Sequence, residues 1–170
     1  QADPLGSPSC RGAAVSVEND IRNLSQIPIF GVLEDDARRL IAFSAETRIL
    51  RAGDILFRRG DKSDCGYVLT SGVIALDAHD DGTAAMLVST PFTLIGELAL
   101  VSETERPVTA MARQPSTVLK VPRTLFHRVL RDYPVSARNM RAMMGMRLEI
   151  LIRELDTLAK GWDIGVERVQ

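Results

Sequence analysis

The 170-residue sequence holds only two cysteines, Cys10 and Cys65, and two histidines, His79 and His127. Two cysteines are too few for a disulfide framework, and their usage fits a reducing compartment. His79 lies beside Asp80-Asp81-Gly82, a turn sequence, and His127 lies in a helical pattern. A metal site wants two or three inward histidines at close spacing, so none is expected. Gly-x-Ser-x-Gly, a Cys-His pairing and a Walker loop are all missing, which leaves catalysis without residues. Aromatics make up 5% of the chain, with one tryptophan, Trp162. The net charge is −1, so nothing in the composition drives the chain toward nucleic acid or an anionic membrane. No run approaches the ~18 apolar residues of a membrane span, and the N-terminus lacks the regions of a secretory signal. The expected location is the cytoplasm.

Apolar residues make up 45% of the chain and charged residues 25%, enough for a sizeable core. Residues 1–17 are rich in Gly, Pro, Ser and Ala without a period, and read as a disordered tail or linker. The chain begins with Gln rather than Met, which leaves a longer parent protein open. Residues 18–135 read as one domain, 136–160 as a long C-terminal helix and 161–170 as a tail.

Within 18–45, Ile21, Leu24 and Ile27 and then Leu33, Ala37, Leu40 and Ile41 have near-helical spacing. Two short helices are expected, joined by an Ile27-Pro28-Ile29-Phe30 elbow that Pro28 interrupts. From 46 to 122 the pattern turns strand-like: Thr47–Leu50, Ile55–Arg58, Tyr67–Thr70, Val73–Asp77, Ala84–Ser89, Val108–Ala112 and Thr117–Val121. Gly- and Asp-bearing turns separate these runs, and Asp80-Asp81-Gly82 reads as a hairpin. Many short strands at close spacing point to an α+β chain built on a jelly-roll-like β-barrel. Helices return after Pro122, and Pro134 parts a shorter one from a longer one. The longer helix carries Met144, Leu148, Leu151, Leu155 and Leu158, spaced 4, 3, 4 and 3. That heptad seam serves either packing on the barrel or a parallel coiled-coil homodimer, and the two stay open. Gly161 reads as its terminator.

One stretch organises the rest: Gly96-Glu97-Leu98-Ala99-Leu100, followed nine residues after Glu97 by Arg106. Free N–H groups at a helix start plus a guanidinium fork suit a phosphate. A neighbouring carboxylate accepts from hydroxyls.

In that order and spacing, Gln26–Phe30, Ala52-Gly53-Asp54, Arg59-Gly60-Asp61, Asp64, Tyr67-Val68-Leu69, Gly72-Val73 and the 96–109 stretch resemble the cyclic nucleotide-binding domain family. The resemblance runs from about Leu24 to Leu151. It implies a regulatory, non-enzymatic module for cAMP or cGMP, with no other cofactor. It puts Glu97 on the ribose 2′-hydroxyl, Arg106 on the cyclic phosphate, and Gly96 with the N–H groups of Leu98 and Ala99 around that phosphate. Pro107 and Thr109 complete the cassette. Val73 and Leu87 are the expected base pocket, and Met143, Met144, Arg147 and Leu148 the expected lid. The chain departs from the family pattern twice. Phe92-Thr93 replaces a Gly-Asp pair, and Pro107 removes an N–H and a hydroxyl that family members use. The missing hydroxyl favours cAMP over cGMP. Two rivals follow: a barrel that keeps the fold without nucleotide, and a sensor piece of a channel or of a transcription regulator. The latter would need a helix-turn-helix beyond Lys160, so this chain itself is expected to touch no nucleic acid.

Overall fold

The computed structural model describes residues 20–79, 86–88 and 90–162. The tail at 1–17, Cys10, the Asp80-Asp81-Gly82 turn and most of the terminal tail lie outside them. So do residues 84, 85 and 89 of the expected fifth strand.

Two four-stranded antiparallel sheets and a short ribbon form the barrel. The first sheet has the order β1 (Glu46–Leu50), β10 (Ser116–Pro122), β4 (Cys65–Ser71), β7 (Thr93–Ile95). The second runs β2 (Ile55–Phe57), β9 (Thr109–Ala112), β5 (Ile74–Asp77), β6 (Met86–Val88). The ribbon pairs β3 (Lys62–Ser63) with β8 (Thr104–Glu105). The expected jelly-roll-like α+β architecture is what the chain forms. The ribbon and β7 escape a sequence reading, because two- and three-residue strands are shorter than the period that would reveal them.

Side chains alternate across the first sheet and so feed two cores. Leu69 and Val118 point between the sheets with Phe57, Tyr67, Ile74 and Ile95. Val68, Leu119 and Val121 point the other way, into a helical layer. With both faces covered, β4 is buried from Cys65 to Leu69 and its sequence reads as a continuous run.

The helical layer consists of residues 20–24, α1 (Pro28–Gly31), α2 (Asp35–Ser44), α3 (Leu98–Val101), α4 (Arg123–Asp132) and α5 (Pro134–Trp162). Pro28 does not interrupt the elbow but starts a helical turn: proline at the first position needs no N–H partner and has its φ preset. That turn drives Ile29 and Phe30 fully into the core, where Phe30 meets the edge of Phe126 at 6.1 Å between centroids. Gly161 does not stop α5, which runs through to Trp162. A glycine ends a helix only where the chain turns left-handed, and inside one it merely weakens it.

Phe92, before β7, has φ +59°, unusual for a bulky residue. Its ring packs against the helical core and its N–H donates to Leu69 O at 2.6 Å, two contacts that offset the backbone cost.

The start of α5 is fastened to the N-terminal helices. Glu34 N–H donates to Ser136 Oγ at 2.9 Å, while Ser136 N–H and Oγ–H donate to the Glu34 carboxylate at 3.3 and 3.2 Å. Each residue thereby caps the other's helix. Asn139 adds a bond to Val32 O at 3.1 Å. Ser136 and Met140 are buried and Met143 and Met144 pack partly on the core, while residues 145–158 are exposed, with Arg147 reaching back to Glu97. Among the described residues no helix is long and apolar enough to cross a membrane.

Candidate functional site

The site is built where β7 ends. Gly96 takes φ +81° and turns the chain from β7 into α3. A Cβ there would lie 2.3 Å from Arg106 Nη1, so glycine is required both by the backbone and by the guanidinium against it. Glu97 follows, and Ala99 N–H closes the turn onto Gly96 O at 3.1 Å.

Arg106 comes from the loop after β8 and is 4% exposed. Its Nη2 donates to Cys65 O at 2.6 Å, and its Cζ lies 4.3 Å from the Phe57 ring centroid and 5.5 Å from that of Tyr67. These two rings stack at 5.9 Å and form an apolar, π-rich floor beneath the cation. Among the described residues Arg106 meets no carboxylate within ion-pairing distance. A buried guanidinium without a carboxylate is an electrostatic demand for an anion. Nearby, hydrogen bonding from the Cys65 thiol holds the Asp64 carboxyl below its usual range, with Lys120 and Arg106 as lesser causes. Burial pushes the Cys65 thiol and the Tyr67 phenol up, so both stay protonated under the cation.

A cavity of about 340 Å³ opens at this point, lined by Ser63, Gly96–Ala99 and Thr104–Pro107. Six of the seven expected cassette residues line it together: Gly96, Glu97, Leu98, Ala99, Arg106 and Pro107. Thr109 does not; its hydroxyl accepts from Arg59 N–H at 2.9 Å and holds β9 to the loop after β2. The N–H of Ala99, expected in the phosphate cradle, is already given to Gly96 O, while Leu98 N–H sits at the first position of its turn, where helices leave donors unused.

The expected base pocket and lid are more dispersed. Val73 donates its N–H to Ser116 Oγ at 3.0 Å, in the turn between β4 and β5, and Leu87 on β6 is 60% exposed. Met143 and Met144 pack against the helical core, and Leu148 is exposed. Arg147 alone of the lid group reaches the site: its Nη1 donates to Glu97 Oε1 at 2.6 Å, with both side chains partly exposed.

Ser63, Thr104 and Glu105 line the cavity without having been singled out in the sequence. The Ser63 hydroxyl lies 2.6 Å from Thr104 O and 2.7 Å from Thr104 Oγ1 across the β3–β8 ribbon. Only that pairing, invisible in two-residue strands, would have pointed to them. Among the described residues no group of three His, Cys, Asp or Glu side chains is placed to hold a metal.

Residues 47–133 match the profile of the cyclic nucleotide-binding domain. A solved cyclic nucleotide-binding-like protein from Brucella abortus bv. 1 str. 9-941 is 36% identical, with a TM-score of 0.61 over 66% of this chain and 98% of that one. The N-terminal domain of a transcriptional regulator from Streptomyces coelicolor A3(2) is 28% identical, with a TM-score of 0.71 over 78% of this chain and 94% of that one. A cAMP-dependent protein kinase regulatory subunit from Dictyostelium discoideum is 29% identical over 119 residues, 69% of this chain. The match spans 36% of that curated relative's length. The profile match covers half the chain, and the barrel, the left-handed glycine and the buried arginine fall inside it: the chain belongs to the cyclic nucleotide-binding domain family.

Proposed function

We propose that the chain is a ligand-sensing regulatory module that binds a cyclic mononucleotide, cAMP in preference to cGMP, in the cavity between α3 and the β3–β8 ribbon. The observation that carries this reading is the Gly96–Arg106 contact. A buried guanidinium without a carboxylate partner among the described residues is held against a glycine at the cavity wall, where an anion would complete it. In this reading Arg106 takes the cyclic phosphate, with the N–H of Leu98 beside it, and Glu97 accepts from the ribose 2′-hydroxyl. Pro107 offers neither N–H nor hydroxyl, which weakens binding and removes a contact for guanine.

Glu97 is bonded to Arg147 of α5. A ribose that takes the Glu97 carboxylate competes with that bond, so nucleotide binding and the position of α5 are linked through one side chain. The shift needs only a few kcal/mol of differential affinity. The output is then carried by α5, whose Met144, Leu148, Leu151, Leu155 and Leu158 offer a homodimer seam. No catalytic residue and no nucleic-acid contact is assigned to this chain, and the free, buried Cys65 suits a reducing cytoplasm.

A second reading is favoured by Pro107 and by the occupied Glu97: a barrel that keeps the fold and serves only association. Calorimetric titration with cAMP, cGMP and linear AMP, on the native chain and on Arg106→Ala, decides between them. Micromolar or tighter binding of a cyclic nucleotide, lost in the variant, is the expected result. No heat and no shift in melting temperature at millimolar ligand would leave the second reading standing.

A further inference from the structure

The cavity beside Arg106 is short of donors for the anion that Arg106 invites. Arg106 N–H is already given to Asp61 O at 2.8 Å and Ala99 N–H to Gly96 O at 3.1 Å, and Pro107 has none. Of the described side chains that line the cavity, only Ser63, Thr104 and Arg106 carry a donor. A cyclic phosphate presents two exocyclic oxygens with several lone pairs, and one guanidinium leaves part of them unmet.

The hydroxyl pair on the β3–β8 ribbon meets that need. Ser63 and Thr104 stand opposite each other in register, so their side chains share one face of the ribbon. Ser63 is 2% exposed and has a single proton to give. Its bond to Thr104 O at 2.6 Å takes that proton. The 2.7 Å contact between the two hydroxyl oxygens then has Thr104 as its donor. A hydroxyl proton rotates about its C–O bond, and a charged acceptor holds it about twice as strongly as a neutral one. Thr104 can therefore exchange Ser63 Oγ for a phosphate oxygen while Ser63 stays bonded to the Thr104 carbonyl. Arg123 of α4 fixes the ribbon in place. Its Nη1 donates to Ser63 O at 2.9 Å and to Ser102 O at 3.1 Å, the latter two residues before Thr104.

We propose that Thr104 is a phosphate-binding residue, an assignment that rests on the nucleotide reading above. Its hydroxyl donates to one exocyclic oxygen of the cyclic phosphate while Arg106 takes the charge, and it stands in for the N–H that Pro107 lacks. Ser63 acts through Thr104, as a positioning residue. Thr104 lies two positions before Arg106, so β8 supplies the site with both donors, and the ribbon is a wall of the phosphate site as well as a brace of the barrel.

The test is calorimetric titration of the full chain with cAMP and with the two diastereomers of its phosphorothioate, in which sulfur replaces one or the other exocyclic oxygen. Thr104→Val is close to isosteric and keeps the carbonyl that Ser63 bonds. It is expected to weaken cAMP binding roughly tenfold or more, while Thr104→Ser, which keeps the hydroxyl, stays within about threefold of the native chain. Sulfur accepts poorly, so the diastereomer with sulfur at the Thr104 contact is penalised when the hydroxyl is present. The ratio of the two diastereomer affinities is therefore expected to change by about threefold or more in Thr104→Val. Equal losses for all three ligands, with that ratio unchanged, mean that Thr104 acts only through the ribbon and overturn the proposal. Thr104→Ala gives the same comparison if the valine variant does not fold. Cyclic nucleotide binding that Arg106→Ala abolishes and Thr104→Val leaves intact defeats the Thr104 assignment alone. A native chain that binds no cyclic nucleotide at millimolar concentration defeats the nucleotide reading, and the Thr104 assignment with it.

Discussion

Glu97 and Arg147 are 50 positions apart in sequence and 2.6 Å apart in space, and their ion pair joins the wall of the candidate site to the C-terminal helix. Both side chains are partly exposed, at 36% and 43%, so the bond contributes about 0–1 kcal/mol. A weak bond at this place is one that a ligand can displace. Arg147→Ala should leave the thermal midpoint nearly unchanged and tighten nucleotide binding up to about fivefold, since the carboxylate is then free beforehand. Paired calorimetric and thermal-melt measurements check both parts. Weaker binding would mean that Arg147 contacts the ligand itself.

Pro107 lines the cavity without an N–H. Pro107→Ala restores a donor to a charged acceptor, worth about 1.5–3 kcal/mol when the geometry is met. The affinity for a cyclic nucleotide should rise roughly 10- to 100-fold. The same titration with Pro107→Ala reads it directly.

Gly96→Ala places a methyl 2.3 Å from Arg106 Nη1 and forces a side chain into a left-handed backbone. Either the guanidinium leaves its seat over Phe57 or the cassette turn shifts. Binding should fall at least tenfold, with a lowered melting temperature. Retained affinity would detach Arg106 from the phosphate role.

Ser136→Ala removes the acceptor of Glu34 N–H at a fully buried position. An unmade cap costs about 1–2 kcal/mol, or roughly 2–8 °C in melting temperature for a chain of this size. Hydrogen exchange should quicken in the first turns of both α2 and α5, because each residue caps the other's helix.

Burial raises the Cys65 thiol above its ordinary range, and Tyr67 is raised for the same first cause. The folded chain therefore keeps protons that the unfolded chain releases. Stability should be full below the ordinary thiol range and fall as pH rises through about 8.5 and beyond. Urea titrations from pH 7 to 10 measure the slope. Cys65→Ala should flatten its first part, and Cys65 should resist alkylation until the chain unfolds.

That the cassette residues would share one cavity was legible because they are packed into a short stretch of a glycine, a carboxylate and an arginine. Most strands of the two sheets were legible because Gly and Asp turns separate them, whereas β7 was too short to show. What stayed hidden is held by pairing between distant short segments. Ser63 meets Thr104 across two strands of two residues each, and Glu34 meets Ser136 across 102 positions. Thr109 reads as a cassette residue in sequence, yet its hydroxyl is turned to Arg59 N–H. Gly161 reads as punctuation in sequence, yet the described helix includes it and Trp162.

The Glu34–Ser136 clamp makes α5 a lever with a fixed fulcrum. The helix is anchored through buried, reciprocal bonds at residue 136, touches the cassette 11 residues on at Arg147, and reaches Leu158 after 22. With a rise of about 1.5 Å per residue those arms are roughly 16 and 33 Å long. A displacement of about 1 Å at Arg147 thus becomes about 2 Å at the tip. On the proposed reading, a displacement of Arg147 by a ligand would therefore reach the leucines of α5 about doubled.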